Sequence, residues 1–189
     1  MSERMTIRDI AGFCPEDAVW KMIADISGCL INEKFGYELS PDSIMIDCFS
    51  FMLNSTQEMT DDFQAPEHNN GQKPNKEETV WSLGAVAYYA ATGHIVFGGH
   101  GGDYQREHPT VSLPVLPKGM QNLTPVLQKC LCYRPEERVG LQELNNLAQN
   151  GLMACGRQAQ KETLSDKKIE INKEIKYTGE KWPEEMIEV

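Results

Sequence analysis

Thr79-Val80-Trp81-Ser82-Leu83-Gly84-Ala85-Val86-Ala87-Tyr88-Tyr89-Ala90 is the stretch that decides the fold. Its apolar residues cover nearly the whole circumference of a helix at 3.6 residues per turn. A helix with so little polar face is buried on all sides, so the pattern predicts a central helix over 78–92, ended at Gly93. Upstream, residues 54–78 are polar, with Asn69-Asn70-Gly71 and Pro74, and read as loop. Before them Ile44, Met45 and Ile46, then Phe49, Phe51 and Leu53, predict two short strands with Asp47-Cys48 near the turn. Earlier still, Val19, Met22, Ile23, Ile26, Cys29 and Leu30 recur at helical spacing. Pro15 suits the first helical position, and Glu16 and Asp17 suit the positive first turn, giving a helix over 15–33 that ends near Gly36. Thr6 to Ile10 reads as a short amphipathic turn.

Downstream of the central helix, residues 94–118 carry Gly98-Gly99-His100-Gly101-Gly102 and Pro109, Pro114 and Pro117, which predict a long irregular connection. The glycine cluster lacks the Lys and Ser/Thr of a phosphate-binding loop, and reads as flexible connection instead. Helices follow over 121–132 and 140–153, on Leu123, Val126, Leu127, Cys130 and Leu131, then Leu141, Leu144, Leu147 and Leu152. The last stretch is charged, with Ile169, Ile171, Ile175 and Tyr177 before Trp182-Pro183, and reads either as a strand pair or as a helix leading into a linker. The expected organisation is a mainly α domain over 1–156 with a small β-hairpin, followed by a charged C-terminal extension over 157–189.

Charge narrows the partners. The formal net charge is −10, and the extension, with seven Lys/Arg against eight Asp/Glu, accounts for only −1 of it. An acidic body of this kind repels nucleic-acid phosphates and anionic membranes and favours basic partners. No apolar run approaches the length that spans a bilayer and no signal peptide is apparent, so a cytoplasmic protein without membrane insertion is expected. The six cysteines match no zinc spacing, and Cys130-Leu131-Cys132 leaves one residue between thiols; buried, reduced thiols are expected. His68, His94, His100 and His108 fall in predicted loops and read as isolated surface histidines. No metal or cofactor is expected.

Three strings flank or lie within the central helix: Phe63-Gln64-Ala65-Pro66-Glu67, Val80-Trp81-Ser82-Leu83-Gly84 and Arg134-Pro135-Glu136-Glu137-Arg138. In this order and spacing they resemble the C-terminal lobe of a protein kinase, and the resemblance covers roughly residues 5–152. It implies a kinase C-lobe-like fold in which Glu67 and Arg138 form a structural ion pair. Leu39-Ser40-Pro41-Asp42-Ser43-Ile44 resembles the kinase catalytic loop in degenerate form. In that register Glu38 stands for the base Asp, Ser40 for the Lys, Ser43 for the metal-binding Asn, and Gly36-Tyr37 for His-Arg. Ser55-Thr56-Gln57 falls where Asp-Phe-Gly would be, and Thr79 where the central helix usually begins with Asp. The glycine-rich strand-turn-strand and the Lys and Glu of a nucleotide lobe have no counterpart before the loop.

A lobe without these parts is similar to the kinase non-catalytic C-lobe domain family, whose members act as protein-interaction modules; the best studied bind basic peptides. The resemblance therefore implies an inactive scaffold or binding module with a protein or basic peptide as partner. The candidate partner surface comprises Tyr37, Glu38, Asp61 and Asp62, within an upper face built from the first fourteen residues, the loop at 36–43 and residues 54–64. One alternative is a split kinase with Glu38 as base, Asp61 or Asp62 as metal ligand, and a nucleotide lobe supplied by another chain. Another is a structural domain of a longer protein.

Overall fold

The structure, a computed structural model, describes residues 5–48, 50–54, 61–69 and 72–178. The chain divides into two compact units, Met1–Met153 and Ala154–Val189. The first is mainly helical and carries one two-stranded antiparallel sheet. A short helix α1 (Ile7–Ile10) leads into α2 (Glu16–Leu30), followed by strands β1 (Ile44–Asp47) and β2 (Ser50–Leu53). A 3-10 turn at Asp61–Phe63 precedes the central helix α3 (Lys76–Thr92). Then come α4 (Gly101–Glu107), α5 (Thr124–Cys130) and α6 (Leu141–Thr178). The turns of α6 through Met153 belong to the first unit; the second is helical through Thr178, where the sequence left strand and helix open.

The central helix forms for the reasons its sequence gives. The Asn75 side chain caps its start by accepting the Glu78 N–H at 2.7 Å, and Gly93 closes its end at φ 74°. Every residue from Thr79 to Tyr88 is buried. Trp81 donates its indole N–H to Gln105 of α4 at 2.8 Å, and Gln105 donates onward to the Leu131 carbonyl at 2.7 Å. One buried amide thereby joins α3, α4 and the end of α5, leaving none of these polar groups orphaned. On the other flank α2 buries Val19, Trp20, Met22, Ile23, Ile26 and Leu30. Pro15 serves as its N-cap, just outside the helix.

The hairpin pairs Ile44 with Leu53, Met45 with Met52, Ile46 with Phe51 and Asp47 with Ser50. Cys48 takes the tight turn at φ 52°; Phe49 lies outside the described residues. Thr6 bridges Met45, and the Met5 carbonyl accepts from the Ile46 N–H at 2.9 Å, so the N-terminal segment covers the free side of β1. On the outer side of β2, Asp25 of α2 accepts the Phe51 N–H at 3.0 Å while paired with Lys21 at 2.6 Å.

Residues 94–118 differ from expectation. They hold a 3-10 turn at Phe97–Gly99 and helix α4. The glycines at 101 and 102 are packed, not loose: a Cβ on Gly101 would collide with the Asp62 carbonyl oxygen, and one on Gly102 with that of Gln64. Close backbone approach is what requires glycine there. The cysteines are also more varied than expected. None of the six is in a disulfide; Cys14 and Cys130 are buried, Cys29 and Cys48 exposed, and Cys132 and Cys155 intermediate.

Candidate functional site

Residues 36–43 link α2 to the hairpin and are held at every step by neighbouring elements. Gly36 donates its N–H to the Pro74 carbonyl at 3.0 Å and lies so close to Asn75 that a side chain there would strike its carbonyl. Thr79, one turn into α3, accepts the Tyr37 N–H at 2.6 Å. Its hydroxyl also lies 2.9 Å from the carbonyls of Tyr37 and Asn75, so its one proton is shared between them. Leu39 is 1% exposed and anchors the middle of the loop in the core.

The polar residues of the loop are turned onto the chain itself. Ser43 accepts the Ser40 N–H at 2.9 Å and donates to the Ser40 carbonyl at 2.8 Å; Ser40 is buried beside it and accepts the Ser43 N–H at 3.3 Å. Asp42 receives Arg8 of α1 in bidentate fashion, from Nε at 2.7 Å and Nη2 at 2.5 Å. That carboxylate raises the Arg8 guanidinium above its ordinary value. Glu38 faces His68, with Oε1 3.2 Å from Nε2, and the other ring nitrogen, Nδ1, lies 2.9 Å from Oε2 of Glu78.

His68 corrects the sequence reading. It follows Ala65-Pro66-Glu67 in a polar stretch and was expected at the surface, yet its side chain is only 5% exposed. It is brought between one carboxylate from the loop and another from the central helix. No local pattern signals this; the cue is its place directly after Glu67, whose own partner draws the segment inward. His108 stacks on Tyr104 at 4.2 Å, whereas His94 and His100 are exposed.

Glu67 and Arg138 are brought together. Arg138 donates to both Glu67 oxygens, at 2.5 and 2.8 Å, and its side chain is fully buried. Its remaining donors reach the carbonyls of Cys132, Tyr133 and Glu77 at 2.8, 3.1 and 3.0 Å. All five guanidinium N–H groups are thus satisfied, tying the Ala-Pro-Glu segment to α3 and to the turn after α5.

The four candidate surface residues fall in two environments. Tyr37 and Glu38 sit on the tethered loop. Asp61 and Asp62 open the 3-10 turn, where Phe63 packs edge-on against Tyr89 at 5.5 Å. Asp61 is exposed and Asp62 intermediate, and neither has a cationic partner among the described residues. Ser55, Thr56 and Gln57 lie outside the described residues. Among the described residues, no cluster of His, Cys, Asp and Glu could hold a metal ion, and no helix is long and apolar enough to cross a membrane.

No family model matches the chain. It is similar to part of the serine/threonine-protein kinase PkaB of Streptomyces coelicolor, 33% identical over 87 residues, which are 46% of this chain and 21% of that kinase. The chain therefore spans about a fifth of the length of the curated relative it matches.

Proposed function

We propose that this chain is a kinase C-lobe-like domain without phosphoryl-transfer chemistry, and that it works as a binding or scaffolding module for a protein partner. The similarity to part of a serine/threonine kinase supports the kinase-like character. The observation that carries the rest is the fate of the two degenerate positions. The hydroxyl of Ser43 both donates to and accepts from the Ser40 backbone, at 2.8 and 2.9 Å, and Glu38 turns its carboxylate onto His68 at 3.2 Å. Magnesium requires open oxygen ligands, and a base must reach the proton it takes. What the lobe keeps is its frame: Glu67–Arg138, Thr79 beneath the loop, and the buried central helix.

The partner class follows from charge. The body is acidic, and Asp61 and Asp62 stand without cations among the described residues. An acidic surface of this kind suits a Lys/Arg-rich peptide and disfavours nucleic acid. The test is a thermal-shift titration of the full chain with ATP and magnesium, then with a Lys/Arg-rich peptide. The expectation is no rise with nucleotide and a rise with peptide that Asp61→Asn/Asp62→Asn diminishes. A nucleotide site at saturation would raise stability by about 2.7 kcal/mol at a hundredfold excess over Kd, and such a rise would overturn the proposal.

A further inference from the structure

We propose that His68 is a proton-operated latch that decides whether the Glu38 carboxylate is held in the domain or presented to solvent. This rests on the reading of Glu38 as part of the partner surface. The geometry begins with the ring. Both nitrogens face carboxylate oxygens, Nε2 toward Glu38 at 3.2 Å and Nδ1 toward Glu78 at 2.9 Å. Ionised carboxylates only accept hydrogen bonds, and a neutral imidazole has one N–H to give. Both contacts are made together only while the ring carries two protons. When one leaves, the bare nitrogen turns its lone pair toward an anion.

The two contacts are unequal, and this decides which opens. Glu78 is the nearer partner and its side chain is 14% exposed; Glu38 is the farther and is 29% exposed. Glu38 can exchange the ring for water, while Glu78 is the more enclosed. The neutral ring therefore keeps its proton on Nδ1 for Glu78 and releases Glu38. The movement stays local, because Tyr37 is tethered by Thr79 and Leu39 is buried. The other charges nearby are already committed. Glu67 on the same segment is held by Arg138, Arg106 of α4 donates to the Pro66 carbonyl at 2.6 Å, and Lys76 of α3 to the Ile31 carbonyl at 3.1 Å. None of them replaces the lost proton at Glu38. While the ring carries two protons the latch is closed; once it carries one, Glu38 is an acid open to a basic partner.

Nitrogen-detected NMR of the full chain without partner, between about pH 5.5 and about pH 8.5, tests the latch independently of any partner. The expected result is a doubly protonated His68 ring at the acid end and an Nδ1–H tautomer at the alkaline end. The Glu38 and Leu39 amide signals should shift along the same titration curve. In His68→Gln those amide shifts should disappear, and Glu38→Gln should leave the ring titrating without the Leu39 shift. A ring that titrates while these amides stay still in the wild-type chain would overturn the proposal. So would an Nε2–H tautomer, or a ring whose protonation does not change across the window. Failure of the chain to bind basic peptides at any pH, with the latch intact, would instead overturn the partner reading.

Discussion

At the scale of the residue, Arg138 is the position where substitution says most. Its five donors meet five oxygens of Glu67, Cys132, Tyr133 and Glu77 in a fully buried setting. Lysine keeps the charge but offers three donors from a single point, so Arg138→Lys is expected to lose two hydrogen bonds and about 2 kcal/mol, read from the urea midpoint. An unchanged midpoint would mean the guanidinium fork contributes nothing beyond charge. The buried thiols make a second prediction. Burial pushes Cys130 up to about 12 and Cys14 up to about 11, against an ordinary thiol value of 9.0. The folded state thus favours the neutral thiol. Its contribution is complete below pH 9 and is lost as pH climbs toward the folded values, by up to about 1.4 kcal/mol per pH unit for Cys130. Urea unfolding at stepped alkaline pH should show this loss, reduced in Cys130→Ala. In a thiol–disulfide reagent the exposed Cys29 and Cys48 should react first, with Cys14 and Cys130 reacting only on unfolding.

At the scale of the element, the loop 36–43 depends on one hydroxyl of α3. Thr79→Val keeps the shape but leaves the Tyr37 N–H without its acceptor, which is expected to cost about 1–3 kcal/mol and to speed hydrogen exchange at Tyr37 more than at the α3 amides. The turn into α4 offers a paired comparison. Gly101→Ala, at φ 48° and against the Asp62 carbonyl, should cost about 3 kcal/mol from backbone strain and collision together. Gly98→Ala, at φ 73° but with open space around it, should cost about 1–2 kcal/mol. Equal losses would mean that packing against residues 61–65 is unimportant. The same contrast shows what a sequence can carry. α2, the hairpin and α3 are legible because the signal, an apolar period or a run buried all round, lies within each element. α4 is not, since the reason for its glycines is a neighbouring backbone nearly forty residues earlier in the chain, and a glycine cluster taken alone reads as a flexible loop. At the site, Glu67 and Arg138 can be paired from their motifs, but the place of His68 between two carboxylates depends on three separate segments converging.

At the scale of the whole molecule, charge and packing act on different ranges. The net charge of −10 sets a long-range field, so binding of a Lys/Arg-rich peptide is expected to weaken markedly between low and physiological salt; salt-independent binding, measured by calorimetry, would point to an apolar contact instead. Short-range packing is carried by α3, which meets α1, α2 and α5, and by α2, which also packs against β2. The rim of a two-stranded sheet presents outward backbone groups, the kind of rim on which copies of a chain accrete one after another. The Asp25 carboxylate, by holding the outward N–H of Phe51, occupies that rim and sets a fixed negative charge where an incoming strand would have to put its own carbonyl. An acid that looks merely structural inside one molecule thereby keeps many molecules apart. In a concentrated solution its loss in Asp25→Ala would show as turbidity and thioflavin-positive fibres.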